Sequence, residues 1–211
     1  MAKRPAGAAD LREACLREAL AVIERSGVES LSLREVARGL GVSHQAPYKH
    51  FASRDHLLAG VVRRIYDGFA RHLDDRPRHD DPYEDLGSIG EAYLSYARAH
   101  PLQYRLMFAT PLPDPTAHPA MMASARHAFA ILNEAIDRVH GRPEPTSPAG
   151  RAVPLDALFV WATVHGLASI MQSSAMGTLA LPASVHAAVQ PHAMGRLHAA
   201  MTAPLPPEEG R

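Results

Sequence analysis

The 211-residue sequence predicts an all-α fold, and three observations carry that prediction. Apolar residues recur at three- and four-residue intervals along most of the chain. No segment of strand length alternates cleanly between apolar and polar residues. Serines open, and glycines close, several short helical patterns near the N-terminus.

The elements follow in order. Leu11, Cys15, Ala19 and Ile23, with Leu16 and Leu20 beside them, line one face of a first helix. Arg12, Glu13, Arg17, Glu18, Glu24 and Arg25 fill the other face, and Gly27 stops the helix. Ser32 and Glu35 have the spacing of a reciprocal capping box, and Val36, Ala37 and Leu40 give the second helix an apolar side. Gly41 can take φ > 0 and closes the turn. Ser43 is a second N-cap candidate, and a recognition helix of about 43–51 follows, distorted in its first turn by Pro47. Ser53 caps a further helix over 54–76 that carries Leu57, Leu58, Val61, Val62, Ile65, Tyr66 and Phe69.

Two helices joined by a tight turn place the second in a DNA major groove. The candidates for DNA contact are Arg34, Ser43, His44, Gln45, Pro47, Tyr48, Lys49 and His50. Gln45 can pair bidentately with adenine, Lys49 reaches guanine edges or phosphates, and the Tyr48 hydroxyl donates to a phosphate. The plainer reading is a helical hairpin whose polar residues are only solvated.

Residues 10–64 resemble the DNA-binding domain of the TetR family of bacterial transcriptional regulators. The resemblance rests on Ser32-Leu33-Arg34-Glu35-Val36-Ala37, Gly41-Val42-Ser43, Tyr48-Lys49-His50-Phe51 and Ser53-Arg54-Asp55-His56-Leu57-Leu58. Gly39, where a better helix former is usual, and the run His44-Gln45-Ala46-Pro47 depart from the pattern. The resemblance implies a three-helix helix-turn-helix domain over 1–64 and a helical effector-binding and dimerisation domain over 65–203. It also implies a homodimer on a near-palindromic operator in double-stranded DNA. Residues 204–211 read as a disordered tail.

The second half reads as helices punctuated by proline. Leu86, Ile89, Tyr93, Leu94 and Ala97 line a helix ending at His100-Pro101, and Leu102–Phe108 form a short one. Pro111, Pro113, Pro115 and Pro119 make an extended loop before a long helix that carries Met121 through Val139. A second proline-rich loop spans about 141–154. Helices over 155–176 and 183–202 follow, and Pro191 either kinks the last or marks its true start. These two pack within the chain or pair across a two-fold axis as a four-helix interface.

Trp161 and His165 share a helical face, with Gly166 beside them. This pattern and the stretch His100-Pro101…Tyr104-Arg105-Leu106-Met107-Phe108 resemble the Trp-His-Gly C-terminal subclass of the same family. Candidates for an effector pocket are Tyr93, Tyr104, Phe108, Met122, Phe129, Trp161 and His165; the same residues also suit a plain core.

Charge and composition narrow the function. Formal net charge is zero, but residues 1–64 hold eleven Lys/Arg against seven Asp/Glu, 11 − 7 = +4. Lys3 and Arg4 are either a basic arm for phosphates or a solvated terminus. The single cysteine, Cys15, excludes an intrachain disulfide framework and reads as core or as a redox sensor. Thirteen His show no metal-ligand spacing, and no nucleophile elbow, dinucleotide fingerprint or P-loop occurs. The expectation is a cytoplasmic, non-enzymatic transcriptional regulator, without metal, cofactor or membrane segment: a repressor released by a small-molecule effector. Alternatives are an activator and a helical ligand-binding protein without DNA contacts.

Overall fold

The computed structural model describes residues 8–108, 111–142 and 155–203. All regular elements among them are helical: α1 (Ala8–Ser26), α2 (Leu33–Leu40), α3 (Arg54–Asp74), α4 (Pro82–Ala99), α5 (Pro101–Phe108), α6 (Ala123–Val139), α7 (Leu155–Gln172), α8 (Ser174–Thr178) and α9 (Ala183–Thr202), with short 3-10 turns. The Lys3-Arg4 arm, most of the second proline-rich loop and the 204–211 tail lie outside the described residues.

Contacts divide the chain into two compact units. One comprises Met1–Gly68 with Leu102–Arg126, the other Phe69–Pro101 with His127–Arg211. The division is not linear. Residues 102–126 group with the N-terminal segment, which a cut between 64 and 65 does not anticipate.

In the first unit α1 buries Cys15, Leu16, Ala19, Val22 and Ile23 and packs on α2. The Ser32 hydroxyl accepts from the Glu35 backbone N–H at 3.1 Å, a cap that contributes about 1 kcal/mol. Only half of the expected capping box forms, because the Glu35 carboxylate turns to Arg38 instead of reaching back. Gly41 ends α2 at φ 64°, where any Cβ is strained. Ser53 caps α3 by accepting from the His56 N–H at 3.3 Å. α3 lies so close to α1 that a Cβ on Gly60 would stand 2.9 Å from Leu16 Cδ2.

In the second unit α4, α7 and α9 pack on one another. Asp81 caps α4 through the Tyr83 and Glu84 N–H groups. The α3 helix stops at Asp74, short of the expected residue 76. Met121 and Met122 sit in a 3-10 turn before α6, and the helix expected over 155–176 breaks at Ser173. The α9 helix runs through Pro191 and does not start at it. The Ala187 carbonyl deprived of its donor lies on an exposed stretch, where water can serve it.

Candidate nucleic-acid interface

The DNA-contact candidates all fall in the first unit, on α2 and on the segment between Gly41 and Phe51. That segment is not the expected α-helix. It consists of successive i→i+3 closures: Ala46 N–H to Ser43 C=O at 2.9 Å, Lys49 N–H to Ala46 C=O at 3.3 Å, and His50 N–H to Pro47 C=O at 2.9 Å. A 3-10 turn spans Pro47–Lys49, and Ser43 makes no side-chain cap there. The cause is Pro47. An α-helix capped at Ser43 needs an N–H from residue 47, and proline has none. Phe51 N–H also reaches the Pro47 carbonyl at 3.0 Å, so the segment relaxes toward α geometry only at its end.

Burial sorts the candidates. Pro47 is fully buried, which corrects its place among the contact residues: its ring packs inward and positions the others. Arg34, Ser43, His44, Gln45, Tyr48 and Lys49 are exposed, and His50 is half-buried. Among the described residues none of these seven side chains has a hydrogen bond or ion pair, whereas nearby cations are engaged. Arg38 pairs with Glu35 and holds that carboxyl below its ordinary range; Arg64 pairs with Glu13.

Two scaffold contacts escaped the sequence reading. Arg54 donates to the Leu31 carbonyl at 3.1 Å and the Val28 carbonyl at 2.8 Å, which ties the start of α3 to the turn before α2. Arg12 lies 5.4 Å over the buried Phe51 ring. The capping pattern and apolar spacing do not foresee such pairings across 23 to 39 residues. Cys15 is fully buried and burial pushes its thiol up, so it is core, not a poised thiolate.

The effector-pocket candidates divide. Tyr104, Phe108 and Met122 belong to the first unit, where Tyr104 packs on Phe108 at 5.0 Å and Phe108 meets Tyr66 edge-on. The buried Tyr66 hydroxyl donates to the Met107 carbonyl at 3.1 Å, and burial raises its pKa to about 12. Tyr93, Phe129, Trp161 and His165 gather in the second unit. Phe129 meets Trp161 at 5.8 Å, Trp161 meets His165 at 6.2 Å, and the Tyr93 hydroxyl shares a hydrogen bond of 3.0 Å with His165 Nδ1. One turn from Phe129, the Asn133 carboxamide oxygen is buried with no hydrogen-bond partner among the described residues. A separate open cavity of about 580 Å³ lies in the second unit, and its lining includes His72, Arg76, Glu91 and Arg98. None of the seven candidates lines it.

Burial lowers the His165 pKa below its ordinary 6.5. The folded state therefore favours the neutral ring. That contribution is complete above about pH 6.5 and is lost as pH falls through the unfolded value toward the depressed folded one. The melting temperature of the wild type should drop more between about pH 7 and about pH 5 than that of His165→Phe. Equal drops would remove His165 from the account.

An all-helical chain with this turn and these exposed side chains is a helix-turn-helix protein. Residues 16–61 match the bacterial regulatory proteins of the tetR family, and residues 86–194 match the tetracyclin repressor-like C-terminal domain. The second match spans more than half of the chain, and the chain belongs to the tetR family of bacterial regulatory proteins. The HTH-type transcriptional regulator Mb1846 of Mycobacterium bovis is 34% identical over 97 residues, which cover 44% of this chain and 41% of that protein. The chain thus spans about two fifths of the length of that curated relative (41%). Tetracycline repressor protein class C of Escherichia coli is 35% identical over 97 residues, covering 42% of this chain and 43% of the repressor. A solved Rhodococcus sp. RHA1 protein of unknown function shares 26% identity at a TM-score of 0.65, over 90% of this chain and 94% of that one. No helix among the described residues is long and apolar enough to cross a membrane.

Proposed function

We propose that the chain is a homodimeric, sequence-specific DNA-binding regulator of transcription, a cytoplasmic repressor that a small-molecule effector releases from a near-palindromic operator. It is not an enzyme in this reading. Residues 1–64 read DNA, and residues 65–203 bind the effector and dimerise. The observation that carries the proposal is the set of exposed side chains without partners among the described residues, Arg34 on the first helix of the helix-turn-helix and His44, Gln45, Tyr48 and Lys49 on its second element, held on a buried scaffold. Exposed groups that no other side chain of the protein engages are the ones a phosphate or a base edge can engage.

Two further features support the wider reading. The α7 face carries exposed Leu155, Leu158, Phe159 and Ile170 around the small Ala162 and Gly166, an apolar stripe suited to a second copy. The Tyr93, Phe129, Trp161 and His165 cluster, with the orphaned Asn133 oxygen one helical turn from Phe129, suits an apolar effector with one hydrogen-bond donor. The E. coli relative is itself named a repressor.

Selection from a random duplex library at stated salt tests the core of this. An enriched palindrome is the expected result, and no enrichment by a folded dimer overturns it. On the enriched site, Lys49→Met and Arg34→Met should each lower the salt slope by about 0.9 per contact, so about 1.8 per dimer. Gln45→Ala should cost about 1–3 kcal/mol and relax preference at one position of each half-site.

A further inference from the structure

We infer that Pro47 is a specificity-setting residue: by forbidding an α-helical recognition segment, it fixes which side chains of 43–49 face the same groove. The inference rests on the DNA-reading function proposed above. Pro47 itself is buried, so it acts through the backbone.

The geometry has two alternatives. An α-helix capped at Ser43 would place Pro47 in its interior, without the N–H that the Ser43 carbonyl needs and with the ring against that carbonyl, at a cost of about 3 kcal/mol. The chain instead gives the Ser43 carbonyl to Ala46 N–H and starts its helical turn with Pro47 at the first position, where a missing donor costs nothing. With i→i+3 closure there are about 3.0 residues per turn instead of about 3.6. Side chains three apart across such a closure then eclipse, which brings Ser43, Ala46 and Lys49 toward one ridge. In an α-helix Gln45 would share its face with Lys49, four residues on. Across the 3-10 turn Pro47–Lys49 the accumulated rotation between the two forms differs by about 40°. The same side chains would therefore present a different pattern of donors and acceptors to the bases. The buried ring and the φ of −118° at His50, which closes the turn, hold the segment in the observed form.

Library selection with the wild-type dimer and with Pro47→Ala, which restores the N–H, tests this directly. The expected result is a consensus for the wild type and a shifted or relaxed consensus for the variant. The variant should lose about tenfold or more on the wild-type site at an unchanged salt slope, since no cation is removed. The same consensus with the same ranking of bases overturns the inference. No enrichment by the wild type overturns the DNA-reading function itself, and the inference with it. Because Pro47→Ala also opens space in the core, a second measurement uses the wild type alone. Nuclear Overhauser contacts over 43–50, free and on the enriched duplex, should join residues i and i+2 and lack the i to i+4 contacts of an α-helix. Conversion to the i to i+4 pattern on DNA overturns the inference whether or not the variant folds.

Discussion

Asp85→Leu should lower the unfolding free energy by about 3–5 kcal/mol, read by chemical denaturation of the intact chain. Asp85 is 1% exposed, and its carboxylate accepts from Arg76 Nη2 at 3.2 Å, Arg138 Nη1 at 2.7 Å and the His79 backbone N–H at 3.2 Å. Arg76 is equally buried, at 1%, and donates further to the Leu73 carbonyl and the Ser88 hydroxyl. Burial lowers the Arg76 pKa and Asp85 opposes that shift. Removing Asp85 therefore strands a guanidinium in the interior of the second unit, and this accounts for most of the loss. Arg138 is half-exposed and can turn to water, so it adds less. The double variant Asp85→Leu, Arg76→Met should recover most of the stability, because an apolar pair of similar volume replaces an ion pair with little net effect. A single-variant cost below about 1 kcal/mol would mean that water reaches the pair and screens it.

This network marks the limit of sequence reading here. Ser32, Gly41 and Ser53 announce their roles locally, because a cap or a left-handed turn depends on residues within three or four positions. The core faces of α1 and α3 are legible for the same reason. Asp85 joins Arg76, nine residues before it, to Arg138, 53 residues after it, and no local period encodes that meeting. The grouping of 102–126 with the N-terminal segment is likewise a matter of long-range contact. The recognition segment is a different case. Pro47 is in plain view, and the rule that a proline cannot supply the fifth N–H of a helix was sufficient to expect a 3-10 turn. A distortion of the first turn is legible from Pro47, whereas its extent depends on the burial of the ring. For the site, exposure of His44, Gln45, Tyr48 and Lys49 follows from their polarity, but burial of Pro47 needs the packed scaffold.

Ala162→Glu should convert the proposed dimer to a monomer and weaken operator binding by about 100-fold or more. On α7, residues 157, 160, 164 and 167 face the core of the second unit. The opposite stripe, 155, 158, 159, 162, 166 and 169, faces outward at helical spacing. Its N-terminal part is large and apolar, with Leu155 80% and Phe159 46% exposed, and Ala162 and Gly166 beyond it are small. A Cβ on Gly166 would meet nothing within 4 Å, so the middle of the stripe is open to a closely approaching helix. In an isologous contact a residue near the axis meets its own copy, so one substitution places two carboxylates in one apolar seam. Like charges there lack both water and a counter-ion, and association loses several kcal/mol. The variant should still fold, because residue 162 is exposed within the single chain. Each monomer then holds one half-site and loses the effective concentration that linkage gives the second, a factor of about 10²–10⁴. Light scattering at micromolar concentration reads the first effect, and binding to the selected duplex reads the second. A variant that stays dimeric with wild-type operator affinity would move the interface off α7, whereas a monomer with undiminished affinity would show that one recognition segment specifies the site alone.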